Sequence, residues 1–166
     1  MTPTPETIGE LTTLDIIIRI GLSLLLSGII GLERKFYHKP AGLRTNIMVS
    51  LGATVLMLIS LSAINQYDPN GVVDITRIAA QVVTGIGFLG AGAIIQGRGS
   101  IHGLTTAAGI WVVAALGMAV GLGMYTIAFI ATAAALIVLV VLGRIEFRFE
   151  HRHDGDNQAP GDEPQQ

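Results

Sequence analysis

The run from Gly99 to Gly143 constrains this chain more than any other feature: none of its residues carries a full charge, and only His102 can acquire one. As a single helix the run would extend about 70 Å at 1.5 Å per residue. That is more than twice the hydrocarbon thickness of a bilayer, roughly 30 Å. It must therefore fold back, and Gly121-Leu122-Gly123 is the natural break. Two spans result, Leu104–Val120 and Tyr125–Leu142. Upstream, Leu14–Leu32 forms a further span, with Asp15 and Arg19 near its start, and Thr45–Gln66 and Ile78–Gln96 are uncharged. The expected fold is all-α, a polytopic membrane protein with about five transmembrane helices within residues 14–143. An extracytoplasmic segment, residues 1–13, precedes them. A short polar tail, residues 144–166, follows and reads as largely disordered.

Composition agrees: charged residues make up 13% of the chain, about half the share of a soluble domain. The absence of cysteine excludes disulfides and thiolate chemistry. No Lys or Arg precedes Arg19, so the N-terminus does not read as a signal peptide. Basic residues set the expected orientation. Arg34, Lys35, Lys39, Arg44, Arg98, Arg144, Arg148 and Arg152 fall on one side, Arg77 falls on the other, and Arg19 lies within a span. The N-terminus is therefore expected outside and the C-terminus in the cytoplasm.

The polar residues inside or bordering the spans are the functional candidates. Asp15 and Arg19 are one helical turn apart and can pair, as can Asp74 and Arg77 at the outer end of the third span. Glu33 stands beside Arg34 and Lys35 at the inner end of the first span. A carboxylate there is expected to pair with Arg44, with Arg98 or with a basic residue of a partner. Gly97-Arg98-Gly99-Ser100 with His102 reads as a hairpin loop or as a small anion nest, with Thr105 or Thr106 capping the fourth span.

Gly85, Gly87, Gly90 and Gly92 crowd the third span, and Gly117 and Gly121 lie four apart in the fourth. Small residues let helices approach closely in lipid, so these glycines read as packing surfaces within the chain or as an approach for a ligand or partner. His151 and His153 lie in a solvated tail, and no nucleotide-binding, hydrolase or zinc-protease motif occurs. No catalytic residue, cofactor, metal site or nucleic-acid partner is expected.

Three ordered blocks carry a resemblance: GLERKFYHKPAGLRTNIMVSLGATVLMLIS (Gly31–Ser60), RIAAQVVTGIGFLGAGAII (Arg77–Ile95) and GLTTAAGIWVVAALGMAVGLG (Gly103–Gly123). They closely resemble the membrane domain of the MgtC/SapB family. The resemblance implies a bacterial inner-membrane protein linked to adaptation to low Mg²⁺ and, in pathogens, to survival inside macrophages. Members are often labelled magnesium transporters; the other view is that they regulate membrane machinery, including the F-type ATP synthase. The matching blocks include Glu33-Arg34, the Lys39–Arg44 turn, Gln81 and the glycines of the third span. Many members continue into a cytoplasmic ACT-like domain, so this chain reads as a short form without it.

Spans two to five hold no Asp or Glu, whereas Mg²⁺ is usually held by carboxylates. The expected function is therefore regulation through helix packing, with only an indirect relation to Mg²⁺. An ion transporter or channel is the alternative. The expected partners are the lipid bilayer and a membrane protein or further copies of the chain.

Overall fold

The computed structural model describes residues 11–67, 74, 76–97 and 100–144. The N-terminal segment up to residue 10, Arg98 and the tail from residue 145 lie outside the described residues. Five α-helices run in chain order: α1 (Thr13–Phe36), α2 (Leu43–Tyr67), α3 (Thr76–Gly92), α4 (Leu104–Gly121) and α5 (Tyr125–Ile137). α5 continues through a π-helical stretch, Val138–Leu142. Four of these segments are long and apolar enough to cross a bilayer: Thr13–Phe36, Leu43–Ile64, Leu104–Gly121 and Tyr125–Leu142. α3, with 17 residues, rises only about 25 Å.

The third span differs from its expected bounds. Helix α3 stops at Gly92 instead of continuing to Gln96, and a short hairpin follows, β1 (Ile95–Gly97) paired antiparallel with β2 (Ser100–His102). Ile94 and Ile95 are apolar enough to extend the span by hydropathy, but the backbone turns there. Gly103 then starts α4 in the left-handed region, with φ of 91°. Neither Thr105 nor Thr106 caps the helix; Gly103 occupies that position without a side-chain hydrogen bond. A Cβ at Gly103 would run into the Ala93 carbonyl, so both backbone angle and space demand glycine.

Helix α1 begins with a reciprocal cap. Asp15 N donates to Thr12 Oγ1 (3.2 Å), and Thr12 N donates to Asp15 Oδ2 (3.0 Å), satisfying donors that a helix start leaves open. α1 ends where His38 takes a positive φ of 51°, and Lys39 N closes back onto Arg34 O at 3.0 Å. Asn46, fully buried, then donates to the Ala41 and Gly42 carbonyls (3.0 and 2.8 Å). These bonds tie the turn to the start of α2.

Helix α4 is central and touches all four other helices. Its residues are apolar all round, as a helix covered by neighbours requires. One core cluster joins Leu26 and Ile30 of α1, Val113, Leu116 and Val120 of α4, and Ala128 of α5. A second joins Ala53 and Met57 of α2 to Val82 of α3.

The close approaches between helices are glycine-dependent. A Cβ on Gly117 would come within 2.9 Å of Ser50 Cα; one on Gly121, within 2.8 Å of Thr54 O; one on Gly31, within 2.8 Å of Leu43 Cα. These three obstacles are backbone, and at Gly121 Met57 Cβ stands nearer still at 2.7 Å, so the helices would have to separate. The third span's glycines differ from this pattern. Gly90 meets Ala107 of α4 at 3.8 Å, but nothing lies within 4 Å of a Cβ at Gly85, Gly87 or Gly92. Among the described residues a side chain at any of those three would meet no neighbour, because α3 lies at the edge of the bundle and turns them outward.

Gly117→Ala and Gly121→Ala are expected to destabilise the protein by about 1–3 kcal/mol, the usual effect of overpacking. Gly109→Ala, in the same helix but facing open space, should leave stability unchanged or raise it by up to about 1 kcal/mol through helix propensity. Thermal unfolding in detergent distinguishes the two classes, and equal effects would overturn the assignment.

Candidate functional site: a buried polar seam and an open groove

A seam of hydroxyl groups crosses the middle of the bundle. Ser23 of α1, Ser50 and Thr54 of α2 are all completely buried. Ser23 Oγ lies 2.9 Å from Ser50 Oγ and 2.9 Å from Thr54 Oγ1, and Thr54 Oγ1 lies 2.8 Å from the Gly117 carbonyl of α4. Thr54 Oγ1 is the donor towards both the Gly117 carbonyl and Ser23 Oγ, and either hydroxyl can donate in the Ser23–Ser50 contact. Ser27 and Thr132 donate to carbonyls one turn back on their own helices (2.6 and 2.8 Å).

The seam lies between two arginines. Towards the start of α1, Arg19 Nη1 donates to the Gly121 carbonyl at 2.6 Å. That carbonyl ends α4, where intrahelical donors run out and the helix dipole favours a cation. Asp15 is occupied by its Thr12 cap, so the expected Asp15–Arg19 pair gives way to a cap on each side. The α4–α5 turn needs the arginine close: Gly123, with φ of 78°, would place a Cβ 3.1 Å from Arg19 Nη2.

Towards the other end of α1, Glu33 and Arg34 form a bidentate ion pair, Nε to Oε2 and Nη2 to Oε1 (2.8 Å). Both are at least nine-tenths buried, and Arg34 Nη1 has no partner among the described residues. Glu33 thus pairs with its neighbour rather than with Arg44, which is exposed; Arg98 lies outside the described residues. Asp74 Oδ1 accepts from Thr76 N and Oγ1 (2.8 and 2.7 Å). These bonds, and to a smaller degree Arg77, hold its carboxyl below the usual range. Arg77 meets Asp74 through the backbone, N to O at 3.2 Å, in place of an ion pair.

Beside this closed interior lies an open groove of about 580 Å³ between α2 and α3. Met48, Gly52 and Leu56 line one wall; Gln81, Gly85 and Leu89 line the other. It is apolar except for Gln81. A smaller cavity of about 360 Å³ continues it towards Pro40, Thr45 and Thr106, sharing Val49 and Leu89.

Sequence reasoning overlooked the seam. The signal was a small or hydroxyl residue four apart in each of three apolar helices: Ser23 and Ser27, Ser50 and Thr54, Gly117 and Gly121. Four apart means one face, and these are the faces that meet.

The family model for the MgtC family matches residues 20–148. The chain belongs to the MgtC family. The match runs through all five helices and includes the seam, the Glu33-Arg34 pair and the groove. Among curated relatives, the chain is 42% identical to the putative magnesium transporter YhiD of Escherichia coli K12, over 85% of this chain and 66% of the relative. It is 42% identical to protein MgtC of Brucella abortus, over 72% of this chain and 48% of the relative. Protein SapB of Bacillus subtilis is 38% identical, over 76% and 54% respectively. The chain thus spans between about half and two thirds of the length of these relatives. No solved structure matches it. Family membership and the apolar helices make it a multi-pass protein of the bacterial inner membrane.

Removing one member of a buried ion pair leaves an uncompensated charge and costs about 3–5 kcal/mol, whereas replacing both with apolar residues is often neutral. Glu33→Gln is therefore expected to lower stability by that amount, and the double variant Glu33→Leu with Arg34→Met to recover most of it. Chemical unfolding in detergent tests this. A double variant no better than the single one would show that the pair is not an isolated unit.

Proposed function

We propose that this protein serves adaptation to low Mg²⁺ by packing its helices against other membrane proteins and altering their activity, without conducting Mg²⁺ or catalysing a reaction. The supporting observation is the state of its interior. Glu33 is the one buried acid among the described residues, and Arg34 neutralises it through two hydrogen bonds. The hydroxyls at the bundle centre spend their protons on one another and on Gly117. Mg²⁺ sheds water reluctantly and needs carboxylates or a hydrated path; among the described residues this interior offers no buried carboxylate free of a partner. The α2–α3 groove, by contrast, is open and lined almost wholly by apolar side chains, as a surface that takes the apolar face of a helix requires. The link to Mg²⁺ comes from the relatives, one of which carries a transporter's name. In pathogens the same adaptation would support life inside macrophages.

The N-terminus faces outward in this proposal, placing Lys35, Lys39, Arg44 and Arg144 at the cytoplasmic surface, as the positive-inside rule requires. A cysteine at Tyr37 in this cysteine-free chain should be shielded from an impermeant thiol reagent in intact cells, and one at Thr4 should react. The reverse pattern would invert the topology.

Transport is the second reading, and the cluster of three hydroxyls and a carbonyl at mid-bilayer is the observation that favours it. Purified protein in liposomes containing a Mg²⁺-sensitive dye is expected to show influx no faster than empty liposomes. Saturable influx abolished by Ser50→Ala would establish transport instead. Gly52→Leu fills the groove without meeting the core, since nothing lies within 4 Å of that Cβ. It is expected to fail in complementing growth at low Mg²⁺ while its membrane level stays normal. Full complementation would remove the groove from the mechanism.

A further inference from the structure

Gln81 is the sixth residue of α3, on the wall of the groove. Its amide makes no hydrogen bond among the described residues, and its side chain is exposed. As a span, α3 would rise only about 25 Å against a hydrocarbon core of roughly 30 Å, which places its sixth residue, Gln81, below headgroup level. Water does not reach an amide at that depth, and lipid tails offer it no partner. Thr84, the other exposed polar side chain nearby, is already satisfied by the Ala80 carbonyl at 3.1 Å. The groove therefore has one unmet requirement, for a group that both donates and accepts a hydrogen bond at the depth of Gln81.

We infer that the groove takes α3 of a second copy of this chain, with the two Gln81 amides hydrogen-bonded to each other across a twofold axis normal to the membrane. The inference rests on the reading of the groove as a helix-docking surface and names its occupant. Three constraints favour a second copy. Two copies inserted in the same direction can be related by a twofold axis only if that axis is normal to the bilayer, so identical residues meet at identical depth. A primary amide offers both donor and acceptor, so two identical amides complement each other, as two lysines or two carboxylates would not. Gly85, one turn from Gln81 on the same wall, and Gly52 on the opposite wall have open space where a Cβ would stand. Bare backbone on both walls admits a helix at close range, whereas an acyl chain would fill the groove and leave Gln81 unpaired.

The test uses the full chain in native membranes, with single cysteines in the cysteine-free background and copper phenanthroline as oxidant. Gly85→Cys is compared with Phe129→Cys, which lies on the exposed side of α5. The expected result is a disulfide-linked product of twice the chain mass at position 85, at least tenfold more abundant than at position 129. Adding Gln81→Leu, which suits lipid at an exposed position, should reduce that product at least fivefold. A product unaffected by Gln81→Leu overturns the amide pairing. A product at position 85 containing a different protein overturns the second copy but leaves the docking surface standing. Equal, background yields at both positions overturn the second copy, whereas failure of the docking surface itself is read from Gly52→Leu in complementation.

Discussion

The rest of the bundle depends on the contact between Thr54 and the backbone of α4 at Gly117. Lipid tails are as apolar as leucine, so burying apolar side chains gives little drive for helices to associate in a bilayer. Close backbone approach and interhelical hydrogen bonds must supply specificity instead. At Gly117 both coincide: the absent side chain lets α2 come against α4, and the exposed carbonyl receives the Thr54 proton. Ser23 connects the same point to α1. One level thus fixes the register of three helices, and the apolar clusters around Val113, Leu116 and Met57 pack within the geometry it sets.

The two arginines extend this logic to the ends of the bundle. Arg19 is rare in kind, a guanidinium within a span, yet it needs no carboxylate because the end of α4 presents carbonyl oxygen and the negative end of a dipole. Arg34, in the last turn of α1, takes the adjacent Glu33. Each charge is thus held by the bundle rather than by solvent. The consequence for function is direct. Charges that hold helices together are not available to bind and release an ion, which is why the interior supports a packing role better than a conduction role.

The helix count and its boundaries were largely legible in the sequence, because a bilayer converts apolar length into spans with little ambiguity. Gly117 and Gly121 were legible too, since their spacing marks one helix face. The partner choices of Asp15, Glu33 and Arg19 were not. Sequence spacing shows which charges are able to meet along one helix, but Arg19 finds its acceptor 102 residues away, and only the fold brings them together. Glu33 beside Arg34 misleads in the opposite way: adjacent residues on a helix point about 100° apart, so the sequence argues against a pair that burial enforces. The end of α3 was misread because Ile94 and Ile95 continue the hydropathy while the backbone turns into a hairpin.

The same six glycines that look alike in sequence therefore divide into two physical classes. Gly117, Gly121 and Gly90 face neighbours in the chain, and Gly85, Gly87 and Gly92 face outward. Inward glycines are explained by the fold itself. Outward ones weaken α3, which is shorter than the four segments long enough to cross a bilayer, and a side chain there would meet no neighbour in return. A helix that is short, glycine-rich and furnished with an unpaired amide is poorly adapted to stand alone against lipid. Every one of those features becomes intelligible if another helix covers the groove, because close approach needs the glycines and the amide needs a partner. The peripheral position of α3 is then the reason that its sequence, rather than that of the central α4, carries the features of the proposed contact.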